Sequence, residues 1–243
     1  MTLEGTNTYV VGSDPAYVVD PGPADAGHLE TVRSVAEDRG GIAGLVLTHS
    51  HADHSAAVPM LDAPLLFGDV GAGDETSGEV GAVAGSASIA VAVKPERVGP
   101  FEIMPTPGHA TDHVCFLIGD VALCGDLVLG HGSSFVPPDG GSLSAYMDSL
   151  ERLREANPEL LCPGHGPYIT EPRARLDEYV EHRLMRERKL VAALDDGERS
   201  RARLLAIAWD DVPAEMLPAA AMVMQAHLEK LKAEGRLPDG LGD

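Results

Sequence analysis

The sequence is poor in cysteine and contains no long apolar segment. Its three cysteines, Cys115, Cys124 and Cys162, show no C-x-x-C spacing. A disulfide scaffold is therefore not expected, and a reducing compartment, the cytoplasm, is the predicted location. No apolar run approaches the length of about 18 residues that a membrane span needs, and no charged and apolar leader opens the chain. We therefore expect neither a membrane span nor secretion.

Basic residues are also scarce. The chain has 18 Lys and Arg against 38 Asp and Glu, for a net charge of −20. Residues 1–170 hold 6 basic and 23 acidic side chains, so −17 of this charge lies there and −3 in the remainder. A protein this acidic repels polyanions at long range, which argues against a broad nucleic-acid surface and against double-stranded DNA as a partner. Bound divalent metals would reverse the sign locally, so a phosphodiester substrate stays open.

Short apolar runs alternate with amphipathic segments, and 27 glycines and 18 prolines mark the joints. This pattern indicates an α/β or α+β fold. Strands are predicted at 9–11, 17–19, 45–47, 101–104, 114–118, 121–124 and 160–162. Helices are predicted at 24–39, 55–61, 144–156 and 171–195, followed by three shorter ones to residue 234. Residues 68–90 are predicted to be a mobile loop over a pocket mouth.

One stretch carries most of the chemistry. His49, His51, Asp53 and His54 form an H-x-H-x-D-H motif directly after the apolar run 44–47. Four potential metal ligands within six residues, at the end of a predicted buried strand, are hard to explain by packing. Imidazole and carboxylate together suit zinc, and also iron or manganese.

Three further ligand candidates follow the same local design. His109, Asp126 and His165 each come after an apolar strand and a turn that contains glycine or proline. Such placement brings side chains from distant parts of the chain to one edge of a sheet. Seven ligands exceed what one tetrahedral ion uses, so we predict two ions, roughly 3.5–4 Å apart, bridged by Asp126 and a hydroxide.

This motif set resembles that of the metallo-β-lactamase superfamily of metal-dependent hydrolases, and the likeness covers residues 2–170. The resemblance implies a four-layer αβ/βα sandwich with the metals at one edge. Carried over by position, it implies three ligand sets: His49, His51 and His109 for a first metal, Asp53, His54 and His165 for a second, and Asp126 as the bridge.

A narrower resemblance points to the β-lactamase-like protein 2 branch. It rests on the segments 3–9, 107–113 and 228–237 and on the pair His182-Arg183. Members of that branch carry a small winged-helix-like domain after the sandwich, and some cleave single-stranded RNA. They also have a strand before the Gly-Thr-Asn-Thr-Tyr segment, so here either that edge strand is missing or the true start lies upstream.

The helix predicted at 171–195 has a polar face next to its apolar stripe. Arg175, Tyr179, His182 and Arg186 fall within about 60° of one another on it, at 100° per residue. This face either holds a substrate carboxylate or phosphate near the metals or is an ordinary solvated surface. We predict a catalytic domain at 1–170, a connecting helix at 171–197 and a winged-helix-like domain at 198–243, which packs on the sandwich, walls the pocket or mediates homodimerisation.

We therefore interpret the sequence as a dinuclear metallohydrolase, with zinc as the expected metal. Metal-bound hydroxide, oriented by Asp53 and Asp126, is the expected nucleophile. Small esters, thioesters or lactones compete with single-stranded RNA as the substrate class, and β-lactams rank last. A non-haem iron oxidoreductase, similar to a persulfide dioxygenase, is the alternative from another functional class.

Overall fold

The structure is a computed structural model that describes residues 5–70 and 96–242. Most of the loop predicted at 68–90 lies outside the described residues. Two sheets, of four and five strands, form the centre of the fold.

The first sheet has the strand order β1-β2-β3-β4. Its strands are Tyr9–Val11, Ala16–Val19, Ile42–Val46 and Leu65–Phe67. β1 pairs antiparallel with β2, whereas β2, β3 and β4 run parallel. Helix α1 (Ala26–Glu37) makes the crossover between β2 and β3, and Asp25 caps its first turn by accepting a hydrogen bond from the amide of His28.

The second sheet has the order β5-β6-β7-β8-β9. Its strands are Arg97–Val98, Phe101–Pro105, Val114–Ile118, Val121–Gly125 and Leu160–Pro163. Pairing is antiparallel up to β8, and β9 then runs parallel to β8 after the crossover helix α3 (Leu143–Ala156). β6, β8 and β9 consequently end at the same edge of this sheet.

The sheets face each other, and helices cover their outer faces. Val19 and Val46 of the first sheet share one core with Phe101 and Phe116 of the second. Leu29 and Val32 of α1 pack on the outer face of the first sheet, and α3 packs with helix α4 (Pro172–Asp195) on the outer face of the second. The order helix, sheet, sheet, helix confirms the predicted four-layer arrangement.

The C-terminal residues form a second, smaller core. It is built by the end of α4 with α5 (Arg201–Ala208) and α6 (Leu217–Ala233), around buried residues that include Leu190, Trp209 and Leu228. Leu176 near the start of α4 belongs instead to the core beneath the second sheet. One continuous helix therefore connects both cores. The predicted domain boundaries and the homodimer stay predictions.

One predicted helix is divided into two short elements. Residues 55–61 do not form one helix: α2 (Ala52–Ser55) ends first, and a 3-10 turn at Val58–Met60 follows. Pro59 lacks the amide hydrogen that a continuing α-helix requires.

The described helices include none with the length and apolar character to cross a bilayer. All three cysteines are buried and unpaired by disulfides.

Candidate metal centre

The predicted ligands lie together at one edge of the two sheets. His49 follows β3, His51 occupies the position directly before α2, and Asp53 and His54 lie on the single turn of α2. The remaining three, His109, Asp126 and His165, follow β6, β8 and β9. The structure thus brings all seven predicted ligands to one place, in overlapping groups whose ligand atoms lie within 4.8 Å of one another.

Three imidazoles form the first group. Nε2 of His49 and Nε2 of His109 each lie 3.0 Å from Nδ1 of His51. One ring nitrogen carries at most one proton and so cannot donate to two partners. Nitrogens at the corners of a tetrahedral zinc site, with Zn–N of about 2.0–2.1 Å, lie roughly 3.3 Å apart. The convergence of these three nitrogens therefore suits a cation better than a hydrogen-bond network.

Asp53, His54 and His165 form the second group, and Asp126 touches both groups. Nε2 of His165 lies 3.3 Å from Oδ2 of Asp53 and 3.4 Å from Oδ2 of Asp126. The same Asp126 oxygen lies 3.7 Å from Nε2 of His109 in the first group. The position of Asp126 between the two groups is the position that a bridging carboxylate needs.

Two buried atoms at the centre have no hydrogen-bond partner among the described residues. They are Nε2 of His54 and Oδ1 of Asp126, which lie 3.4 Å apart. Buried polar atoms are nearly always satisfied, and an ion is one of the few explanations for a pair left without partners. The donor set and these two atoms fit divalent metals.

In three of the proposed ligand rings, a hydrogen bond on the side away from the centre determines which ring nitrogen carries the proton. Nδ1 of His54 lies 3.0 Å from Oδ2 of Asp20, Nδ1 of His109 lies 2.6 Å from the carbonyl oxygen of Phe135, and Nδ1 of His165 lies 2.8 Å from that of Gly5. Carboxylate and carbonyl oxygens only accept, so each Nδ1 carries a proton. The Nε2 atoms are thereby directed towards the centre as ligands.

Asp20 is nearly inaccessible, with 2% exposure, and organises the H-x-H-x-D-H loop. Its carboxylate accepts hydrogen bonds from the amide (2.8 Å) and the hydroxyl (2.7 Å) of Thr48 as well as from His54. The Thr48 hydroxyl donates its only proton to Asp20, so it accepts a hydrogen bond from Nδ1 of His49 at 3.0 Å. Asp20 was missed in the sequence, although it follows β2 as the ligands follow their strands.

Burial and charge act in opposite directions on the ionisable groups. Burial disfavours the charged form of His54, but Asp20 and Asp126 outweigh it and raise the pKa to about 10. Burial also opposes ionisation of Asp126, yet the neighbouring imidazoles of His165 and His54 hold its pKa well below the ordinary value. Burial lowers the pKa of His49, which leaves this imidazole neutral.

His113 supports the bridging residue from the side. Its Nε2 accepts a hydrogen bond from the amide of Asp126 at 3.1 Å, and its Nδ1 therefore donates to the hydroxyl of Thr106 at 2.8 Å. Burial lowers the pKa of His113 to about 3, so the ring is neutral. Its hydrogen bond is with the backbone of a proposed ligand residue, and its ring lies 5.2 Å from the ring of His49.

The N-terminal segment holds the His165 loop. The side-chain amide of Asn7 donates to the carbonyls of Pro163 (2.9 Å) and Gly166 (2.8 Å) on both sides of His165. The hydroxyl of Tyr9 donates to the same Pro163 carbonyl at 2.6 Å. Residues distant in sequence therefore fix the last ligand.

Arg175 and Tyr179, two of the four predicted substrate-binding residues, contact a loop next to the site. Arg175 donates to the carbonyls of Leu129 (3.1 Å) and Gly132 (2.7 Å) and pairs with Glu178. The hydroxyl of Tyr179 accepts from the amide of Leu129 at 2.9 Å. Both side chains already have partners on the protein, and their role in substrate binding stays a prediction.

The other two predicted substrate-binding residues lie further along α4. Arg186 is buried and donates to Asp211 and to the carbonyl of Ala208, each at 2.6 Å, at the end of α5. His182 is half-buried, and burial together with the neighbouring arginines lowers its pKa. Arg186 therefore joins α4 to the C-terminal core, and the structure does not bring it to the metal centre.

Family profiles match both parts of the chain. The Metallo-beta-lactamase superfamily profile matches residues 1–65 and 88–165. The Beta-lactamase associated winged helix domain matches residues 200–238. A crystal structure of a Beta-lactamase domain protein from Burkholderia ambifaria superposes with a TM-score of 0.71 over 97% of this chain and 83% of that chain, at 19% identity, which concerns the fold alone.

Several curated relatives align over most of the chain. Lactamase-like protein adaB of Aspergillus niger is 37% identical over 219 residues, 85% of this chain and 63% of that protein. The Beta-lactamase-like protein 2 homolog of Drosophila melanogaster is 30% identical, covering 98% of this chain and 85% of that protein. The Atrochrysone carboxyl ACP thioesterase of Aspergillus chevalieri is 34% identical, covering 82% and 64%. The chain thus spans slightly less than two thirds of these two fungal proteins.

Proposed function

The chain belongs to the metallo-beta-lactamase superfamily, and from that premise we propose that it is a dinuclear metal-dependent hydrolase of small esters or thioesters. The observation that carries the proposal is the convergence of seven ligand side chains in two groups that share Asp126. Nitrogen and oxygen donors in this mixture favour zinc, with iron or manganese as alternatives.

Two divalent ions held here would lower the pKa of water towards 7 and polarise the oxygen of the scissile bond. The protein's own contribution is orientation. Asp126 is ionised at neutral pH because its pKa is held low, so it serves as a hydrogen-bond acceptor rather than a donor. Asp53 is the more accessible carboxylate, with 26% exposure of its side chain against 12% for Asp126. Together they would orient the attacking water.

The exposure of the ligands indicates the direction of substrate approach. His51 is exposed and Asp53 half-buried, whereas His49, His54 and His165 are buried. The scissile bond therefore approaches from the side of His51 and Asp53. Water has access to the centre from the same side.

Uncharged acyl substrates suit the surroundings better than RNA. The arginines that would guide a phosphate backbone already serve the protein: Arg175 bonds two carbonyls, and Arg186 pairs with Asp211. Residues 1–170 add a charge of −17, which opposes a polyanion. The thioesterase name of one relative supports the acyl choice.

An activity panel on metal-free and metal-reloaded protein tests this proposal. Zinc, ferrous iron and manganese are each restored, and hydrolysis of an aryl thioester, a lactone, an aryl phosphodiester and a labelled single-stranded RNA is measured. We expect metal-restored turnover of the thioester or lactone, with zinc most effective, and little RNA cleavage. Metal-restored RNA cleavage that exceeds acyl hydrolysis would favour the nuclease alternative. Oxygen consumption with a persulfide, restored by iron alone, would favour the oxidoreductase.

A further inference from the structure

A single loop supports three of the proposed metal ligands. We call residues 127–135 the supporting loop. The hydroxyl of Ser134 donates to the carbonyl of Asp126 at 2.5 Å, and the carbonyl of Phe135 accepts from Nδ1 of His109 at 2.6 Å. The amide of Gly130 donates to the carbonyl of His165 at 2.9 Å. A shift of this loop would therefore move ligands of both metals.

Helix α4 holds the supporting loop through three polar side chains spaced by four residues. Arg175 and Tyr179 bond its first half through Leu129 and Gly132. Arg183 bonds its second half. Side chains four residues apart lie on one face of a helix, so all three meet the loop together.

Arg183 makes its contacts at the part of the loop nearest the ligands. Its Nη2 donates to the hydroxyl of Ser133 at 3.0 Å and to the carbonyl of Ser134. These bonds lie directly before Phe135, whose carbonyl fixes the ring of His109, and on the residue whose hydroxyl bonds Asp126.

The environment of Arg183 is unusual for a cation. It is 3% exposed, and within the described residues no carboxylate lies within ion-pair distance of it. Its guanidinium lies 5.3 Å from the ring centroid of Tyr146, a second anchor of the loop through the Leu127 carbonyl. Arg186, equally buried, has Asp211 as its partner. Burying a cation without a carboxylate is unfavourable, so bonds to the loop must offset the loss of water around Arg183.

We propose that Arg183 is a positioning residue that sets the metal-binding geometry of His109 and Asp126 through Ser133, Ser134 and Phe135. This inference rests on the metal site proposed above. Groups that hydrogen-bond a metal ligand affect metal affinity because they fix the orientation of that ligand. Arg183 on α4 in turn fixes the loop that carries those groups.

Arg183→Met tests the inference, since it keeps the length of the stem and removes the donors. Lys230→Met is the matched control: Lys230 lies on α6 in the C-terminal core, is 13% exposed in its side chain and bonds Glu187 and Glu234, without a hydrogen bond to the loop. Zinc affinity is measured by competition with a chromophoric chelator, and the visible spectrum of cobalt-substituted protein reports ligand geometry.

We expect Arg183→Met to lower zinc affinity by about tenfold, to change the cobalt spectrum and to reduce kcat more than KM. Arg183→Lys, which restores a donor, should recover part of the affinity. Lys230→Met should lower thermal stability yet keep the affinity and spectrum of the wild type. Should Arg183→Met not fold, Arg183→Leu, which also lacks donors, replaces it with the same expectations.

The experiment distinguishes failure of the positioning role from failure of the proposed function. Wild-type affinity and an unchanged cobalt spectrum in the folded Arg183 variant would overturn the positioning role alone. A wild-type protein that binds no metal would overturn the proposed function, and this inference with it.

Discussion

Replacing Asp20 with asparagine is expected to weaken metal binding without removing any proposed ligand. Oδ1 of Asp20 accepts from the Thr48 amide, and Oδ2 accepts from both the Thr48 hydroxyl and Nδ1 of His54. An asparagine offers only one acceptor oxygen, and its other terminal atom is a donor. One of these bonds must therefore be lost.

Both orientations of the asparagine are unfavourable. With its oxygen towards the Thr48 amide, its nitrogen donates to Nδ1 of His54, which moves the ring proton to Nε2, the atom that a metal needs. With its oxygen towards His54, two N–H donors face each other in a buried site, at a cost of about 1–3 kcal/mol. A weakening of about 10–100-fold in affinity, or about 1.4–2.7 kcal/mol, follows for the metal bound by His54.

Competition with a chromophoric chelator measures this change as the loss of one of two tight sites. Nitrogen chemical shifts of the histidine rings in zinc-loaded protein report whether Nδ1 of His54 carries the proton. Asp25→Asn is the matched control, because Asp25 caps α1 and contacts no proposed ligand. If Asp20→Asn binds two ions as tightly as the wild type, Asp20 does not set the tautomer and the reasoning fails.

Three further predictions concern the same centre. Asp126→Ala should lower metal content from two ions towards one or none and abolish turnover, as measured by elemental analysis and kinetics; near-wild-type values would remove Asp126 from the site. Gly164→Ala should lower metal affinity, because the added Cβ would lie 2.7 Å from Cε1 of His54 and against Oδ1 of Asp126, whereas Gly27→Ala should not. In metal-free protein, burial disfavours charged His54 and His165, but nearby carboxylates outweigh it and raise each pKa from 6.5 to about 10. The stability that these raised values add is complete below pH 6.5 and lost as pH rises to about 10, so denaturation of metal-free protein should become easier across this window; a flat profile would contradict the assignment.

The clustering of the seven proposed ligands could be predicted from the sequence because each of them is tied to a local pattern. An apolar strand, a turn and a polar side chain lie within a few residues of one another, as in 44–49 and 121–126. The fold then brings the strand ends to one edge, because β2 pairs parallel with β3 and β8 pairs parallel with β9. Asp20 follows the same pattern after β2 and could have been found by the same rule.

The polar face of α4 could be predicted only in part. Arg175 and Tyr179 were placed on a face towards the site, and they do contact the loop beside it. Arg186 lies only about 20° from Arg175 around the helix axis, but 11 residues further along it, or roughly 16 Å. A helical-wheel projection shows only the angle around the axis and therefore does not show this axial distance. Arg186 therefore reaches α5, and Arg183, less well aligned in projection, meets the loop.

The groups that fix the ligand rings explain why the remaining contacts are hidden in the sequence. His109 and His165 are oriented by the carbonyls of Phe135 and Gly5, and every residue type carries such a carbonyl. The residue type at position 135 therefore does not indicate this role. The information lies instead in the side chains that hold the backbone there, and these come from α4, about fifty residues later in the chain. Among the described residues, no carboxylate lies within ion-pair distance of buried Arg183, and a cation buried in this way indicates that the backbone it bonds has a role.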